Sequence, residues 1–168
     1  MPLYTLLDSP LGRLTLVGEP SADAPGGTAL TALSVPEQKR GVVPAPDWIR
    51  EPAAFAEAER QLKEYFAGER REFDLALAAR GTAFRERVWT ALDDVPYGET
   101  VSYGEIARRI GAARPAVRAI GTAIGANPLL VLRPCHRVIG ADGSLTGYAG
   151  GLDRKRALLS LEGVAVAR

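Results

Sequence analysis

The chain has one cysteine and one histidine, and they are neighbours, Cys135 and His136. Chance adjacency of two unique residues in a chain this long is about one in a hundred, so the pair is read first as chemistry. The reactive form of cysteine is the thiolate, and a nearby imidazole can take the thiol proton. Adjacent side chains rarely face each other, and a bridging water would solve that geometry. A carboxylate on the far side of the imidazole would fix its tautomer and raise its basicity. Glu162 is a candidate for that carboxylate by its place late in the chain, although spacing alone does not assign it. Taken singly, Cys135 fits a small buried hydrophobe and His136 a satisfied core histidine. Together, after Pro134 and before Arg137, they fit a nucleophile and its base equally well.

The same counts exclude other chemistries. One cysteine cannot close an internal disulfide. One Cys and one His cannot make a four-ligand zinc site without carboxylate help. Neither a metal nor a cofactor is expected.

Several elements must position this pair. Thr82 is placed to cap a helix carrying Phe84, Val88, Trp89 and Leu92, with Trp89 as a core anchor. Ser102-Tyr103-Gly104-Glu105 fits a capping box ahead of Ile106 and Ile110, and Gly111 closes that short helix. Pro115 suits the first turn of a second helix running to about Asn127. Two short helices around a glycine turn form a helix-turn-helix candidate. The second helix offers Ala116, Ala119, Gly121, Thr122, Ala123 and Gly125, with Arg118 its one long polar side chain. That is too few hydrogen-bonding side chains to read bases in a major groove. On composition, the small residues fit tight packing inside the protein better than close approach to a minor groove. Beyond the Cys-His pair lie the turn at residues 141–144 and the glycine-rich run 146–151. Asp153 is the expected N-cap of a last helix that turns Leu158, Leu159 and Leu161 inward.

The first half reads differently. Tyr4–Leu7 and Leu14–Val17 flank the turn signal Ser9-Pro10-Leu11-Gly12, which predicts a hairpin. Leu30–Val35 predicts a third strand, and residues 36–50 an irregular loop. Pro52–Ala67 carries apolar residues at helical spacing, and Phe73, Leu75 and Leu77 alternate as in a strand.

Hydrophobic residues make up 46% of the 168-residue chain and charged residues 24%, an ordinary globular balance. No apolar run is long enough to span a bilayer. The N-terminus lacks the pattern of an export signal, so a cytoplasmic location is expected. Net charge is +1 but uneven. Residues 1–80 carry 9 Lys/Arg against 12 Asp/Glu, and residues 81–168 carry 12 against 8. A basic second half is compatible with nucleic acid.

The run Pro134-Cys135-His136-Arg137-Val138 resembles the active-site signature of the O6-alkylguanine-DNA alkyltransferases. The resemblance continues in order through Ser102–Ala107, Arg118-Ala119-Ile120-Gly121, Asn127-Pro128, Gly147-Tyr148-Ala149-Gly150-Gly151 and Leu158–Gly163, covering about residues 82–163. It implies an α+β protein: a small α/β domain of ribonuclease-H-like type over 1–78, then a mainly helical domain over 79–168. The second domain would hold the helix-turn-helix and an active-site loop.

The resemblance also implies roles. Cys135 would accept the alkyl group, His136 would act as base through a water, and Glu162 would orient His136. Asn127 would brace the turn holding the thiol. Tyr103 would help rotate the target nucleotide and donate a hydrogen bond to the leaving guanine. Arg118 would fill the gap in the duplex, beside DNA contacts from Ser102, Ala119, Gly121 and Thr122. Pro134, Val138, Tyr148, Ala149 and Gly150 would line the substrate pocket. The partner would be double-stranded DNA, met in the minor groove without sequence preference, with O4-alkylthymine left open as a second substrate. No membrane and no obligate protein partner are implied.

The chain departs from the family pattern at four places. Arg133 stands where an apolar residue is usual, which is expected to alter the pocket wall. Val117 replaces a frequent alanine, and Ala149 a serine of some members. The turn from Gly111 to Arg118 is one residue longer. Three rivals remain: a lesion sensor of the same fold without transfer, a helix-turn-helix regulator and a cysteine hydrolase. The retained Cys135 disfavours the first, and the poverty of base-reading side chains disfavours the second.

Overall fold

The structure is a computed structural model that describes residues 2–112 and 116–165. It divides into two compact units, 1–79 and 80–168.

In the first unit, β1 (Leu3–Ser9) and β2 (Gly12–Pro20) form the expected hairpin, and β3 (Thr28–Ser34) pairs antiparallel with β2. Ser9 Oγ closes the hairpin turn, donating to Gly12 O at 2.7 Å and accepting from Leu11 N at 3.1 Å. Two-residue strands β4 (Ile49–Arg50) and β5 (Ala76–Leu77) join the edges in parallel, giving the order β4-β1-β2-β3-β5. After a 3-10 turn at Pro52–Phe55, α1 (Ala56–Phe66) lies against β1. It buries Ala58, Leu62 and Tyr65, and the sheet buries Leu14, Leu16 and Leu33.

The strand expected over 73–77 shrinks to Ala76–Leu77 for a definable reason. The buried Gln61 carboxamide takes both backbone groups of Asp74, accepting from its N–H at 2.8 Å and donating to its carbonyl at 3.1 Å. A backbone so satisfied has no need of a strand partner.

The second unit packs α2 (Ala83–Asp93), α3 (Tyr103–Arg109) and α4 (Val117–Gly125) around Val88, Leu92, Ile106 and Ile120. Trp89 is the expected anchor, buried with its indole N–H donating to Ala123 O at 2.9 Å. Thr82 caps α2 through Arg85 N. Ser102 caps α3 through Glu105 N at 3.1 Å. The capping box is only half made, because the Glu105 carboxylate goes to Arg108 and Arg109 on its own helix. Gly111 ends α3 with φ 71°, a conformation that a side chain makes costly. The predicted helix start at Pro115, and part of the longer turn before Arg118, lie outside the described residues.

Two further elements bear on the site. β6 (Val101–Ser102) and β7 (Val138–Ile139) form a short parallel pair that the sequence pattern did not announce. In α5 (Leu152–Leu161), Leu158 and Leu159 are fully buried, but Leu161 is only half-buried. The N-cap of α5 is Gly151 at φ 92°, not Asp153, which sits inside the first turn. There its carboxylate can still favour the helix start by charge alone. No helix among the described residues is long and apolar enough to cross a membrane.

Candidate active site

Cys135 opens a 3-10 turn, Cys135–Arg137, that feeds β7. The segment before it is wound tightly. Leu132 N bonds back to Leu130 O at 2.7 Å, which forces Val131 to φ 69°. For a β-branched residue this is a true outlier, at a cost of about 1–3 kcal/mol. Asn127 offsets it from inside, its Oδ1 accepting from Leu129 N at 3.0 Å and its Nδ2 donating to Leu129 O at 3.3 Å. The same Nδ2 reaches Cys135 Sγ at 3.3 Å. Asn127 therefore ties the turn and touches the sulfur with one side chain.

Cys135 is 3% exposed, and burial pushes its thiol up. The Asn127 amide opposes that shift, as do the positive charges of Lys155 and Arg133. Beside it, His136 is completely buried, and burial pushes its imidazole down, against the pull of Glu162. His136 Nε2 lies 2.8 Å from Glu162 Oε2. A carboxylate can only accept, so Nε2 carries the proton and the neutral ring keeps its lone pair on Nδ1. Nδ1 is buried and has no hydrogen-bond partner among the described residues.

Glu162, at the C-terminal end of α5, is held hard. Arg137 donates to Oε1 at 2.8 Å and to Oε2 at 2.9 Å, a bidentate pair, and Gly98 N reaches Oε1 at 3.4 Å. Arg137 is itself buried, donating to Val95 O at 2.7 Å and lying over the Tyr97 ring. Arg137 thus fixes the carboxylate that fixes the imidazole.

Lys155 belongs to the site although no sequence motif marks it. It is fully buried, and its ammonium donates to Val138 O at 2.5 Å, Thr146 O at 3.2 Å and Gly147 O at 3.4 Å. Burial pushes it down to about 8, while the Cys135 thiolate would draw it up. It pins the glycine-rich loop to β7. The available signal was its spacing: Lys155 stands three and four residues before Leu158 and Leu159, on the buried face of α5. Lys155→Met should remove the ammonium donor from three carbonyls. Hydrogen exchange in residues 146–151 should then quicken, and stability should fall by about 1–3 kcal/mol. Unchanged exchange would count against the pinning role.

The structure joins Asn127 to Cys135 and His136 to Glu162, all four buried, with Pro134 and Val138 buried on either side of the Cys-His pair. Tyr103 connects to the loop, its hydroxyl accepting from Thr146 Oγ1 at 2.8 Å. Tyr148 and Ala149 are half-buried, and Gly150 is buried. Ser102 is occupied as the α3 cap. Arg118, Ala119 and Thr122 are not part of the cluster. They lie with Gly125 on the exposed face of α4, while Ile120, Ala123 and Ile124 face inward. This corrects the packing expectation for Ala119, Thr122 and Gly125, while Ala123 does pack inward. A methyl group added at Gly125 would meet open space, and one at Gly121 would meet only the edge of Tyr103 at 3.9 Å. Arg133 lies in the interior. It is 6% exposed, with its guanidinium 5.1 Å from the Trp89 ring centre.

Fold and site define a two-unit α+β protein whose second unit joins a helix-turn-helix to a sealed thiol. The second unit matches the family model for the DNA-binding domain of 6-O-methylguanine DNA methyltransferase over residues 83–164. The first matches that family's ribonuclease-like domain over residues 3–79. A methylated-DNA--protein-cysteine methyltransferase of Mycobacterium tuberculosis is 54% identical over 95% of this chain and 91% of its own. One from Methanosarcina acetivorans is 46% identical over 95% and 97%. A crystal structure of Mycobacterium tuberculosis OGT in complex with DNA superposes with TM-score 0.85 at 53% identity, covering 95% of this chain and 92% of that one. The chain belongs to the 6-O-methylguanine DNA methyltransferase family.

Proposed function

We propose that this protein repairs DNA by moving the alkyl group of an O6-alkylguanine onto Cys135, once per molecule. The alkylated oxygen is buried in the base stack, so the nucleotide must be turned out of the duplex. The exposed small residues of α4 allow close approach to the minor groove, and Arg118 occupies the space the base leaves. Phosphate attraction comes from the basic second half, which makes binding indifferent to sequence.

The thiol proton passes through a water to His136 Nδ1. Cys135 Sγ then attacks the alkyl carbon. The new S–C bond forms as the C–O6 bond breaks, and the electron pair leaves on guanine. Tyr103 donates a hydrogen bond to that leaving base, and the proton held on His136 Nδ1 returns through water to the guanine anion, so that neutral guanine, a thioether and a neutral imidazole remain. Tyr148, Ala149 and Gly150, on the loop pinned by Lys155, line the pocket.

The observation that carries this reading is the 2.8 Å contact between His136 Nε2 and Glu162, which leaves a buried Nδ1 lone pair on the residue next in sequence to the chain's only cysteine. Nothing in the cluster offers a route for hydrolysing a thioether. With damaged duplex in excess, product should therefore rise to one equivalent per chain and stop. Continued turnover would replace this reading with a true catalyst such as a hydrolase.

The DNA face is tested separately. Ala119→Glu places a carboxylate against the phosphates and should weaken duplex binding by about tenfold or more at moderate salt. Alkylation of Cys135 by a small reagent should be untouched. Unchanged DNA affinity would remove α4 from the interface.

A further inference from the structure

Arg133 stands two residues before Cys135, and its surroundings form a chain of contacts that ends on the sulfur. Its Nε donates to Asp93 Oδ1 at 3.3 Å, from the end of α2. Its NH1 donates to Asn127 Oδ1 at 3.4 Å. Asn127 Nδ2 then donates to Cys135 Sγ at 3.3 Å. The guanidinium lies over the face of Trp89, a position that holds a cation without using any of its N–H groups.

A guanidinium has donors and no acceptor. The Asn127 atom facing it, and facing Leu129 N, must therefore be the oxygen. That choice leaves the amide nitrogen on the sulfur side. A cation bonded to the oxygen also polarises the amide and makes its N–H a better donor. We propose that Arg133 is a positioning residue for alkyl transfer, which locks and polarises the Asn127 amide against Cys135 and thereby sets the thiol's reactivity. The inference rests on the reading of Cys135 as the alkyl acceptor.

Charged and titratable groups among the described residues surround Cys135. Lys155 faces it from α5, and His136 lies beside it with Glu162 and Arg137 behind. Arg133 faces it through Asn127, with Asp93 and the adjoining Asp94 on the far side. Asp93 is half-exposed and neutralises only part of the guanidinium, so Arg133 acts as a screened cation.

The test compares Arg133→Gln, Arg133→Lys and wild type as whole chains. Alkylation of Cys135 by iodoacetamide is followed by intact mass across neutral to alkaline pH, without DNA. Methyl transfer from an O6-methylguanine duplex is followed in parallel. Gln is neutral but still planar and able to donate to Asn127, whereas Lys keeps the charge. The Gln variant should move the alkylation midpoint up by about one unit and slow transfer at neutral pH about tenfold. The Lys variant should stay near wild type, and DNA affinity should hold in both. Asp93→Asn, at its half-exposed site, should move the midpoint down.

A wild-type midpoint in Arg133→Gln overturns the proposal. Equal slowing in Gln and Lys with no midpoint change also overturns it, because that is what a mere packing role predicts. Wild-type protein that takes no methyl from the duplex would instead sink the reading of Cys135 itself.

Discussion

Cys135→Ala should abolish methyl transfer completely and leave duplex binding intact. No other side chain can substitute, because the chain has no second thiol and a hydroxyl is a far weaker nucleophile without a lowered pKa. The binding face is a separate structure. Arg118, Ala119 and Thr122 lie exposed on α4 and take no part in the cluster around the sulfur. The lost sulfur leaves Asn127 still bonded to Leu129 and Arg133, so the turn should keep its shape. The variant should therefore titrate a damaged duplex in fluorescence anisotropy as wild type does, while no methyl appears on the protein. Residual transfer would mean that the acceptor lies elsewhere. Loss of binding would mean that the thiol has a structural role which the geometry does not suggest.

Glu162→Gln should have the second largest effect, and it should strike stability and chemistry together. The carboxylate receives two bonds from Arg137 and one from His136, all inside the protein. An amide presents two N–H donors where two donors already point. Arg137 then becomes a buried cation without its anion, a change that costs about 3–5 kcal/mol. The imidazole loses the acceptor that holds its proton on Nε2, so Nδ1 no longer reliably carries the lone pair. Transfer should slow on the order of a hundredfold. The pH response follows from the same contacts. Burial already holds His136 below its ordinary value of 6.5, so the folded state binds fewer protons than the unfolded chain just below that pH. Stability should accordingly fall as pH drops through that region. Glu162→Gln deepens the fall by removing the one group that pulls the imidazole upward. Denaturant unfolding at neutral and mildly acidic pH measures both effects. A variant as stable as wild type, with an unchanged transfer rate, would dismantle the account of the His136–Glu162–Arg137 triplet.

What could be read from the sequence was whatever rests on short range. Thr82 and Ser102 cap helices through residues three positions on, and the turn at residues 9–12 closes through its own serine. The adjacency of Cys135 and His136 needs no tertiary knowledge at all. What escaped depends on groups brought from elsewhere. Lys155 takes carbonyls from β7 and the loop, and Arg133 takes Asp93 and Trp89 from α2. The strand near Phe73 was shortened by a glutamine on α1, which no alternation of apolar residues reveals. The parallel pair β6 and β7 is two residues long, too short to carry a period. The small face of α4 misled for another reason. Small residues serve internal packing and external approach alike, and only their exposure decides between the two.

The central claim is that one alkyl group moves from guanine to Cys135 and stays there. Intact-protein mass spectrometry after mixing with a duplex bearing a single O6-methylguanine tests it most directly. The account predicts the gain of one methyl per chain, mapped to the peptide that holds Cys135 and absent with undamaged duplex. An unchanged mass, with tight binding to the damaged duplex retained, would contradict it and leave a lesion sensor with an inert thiol.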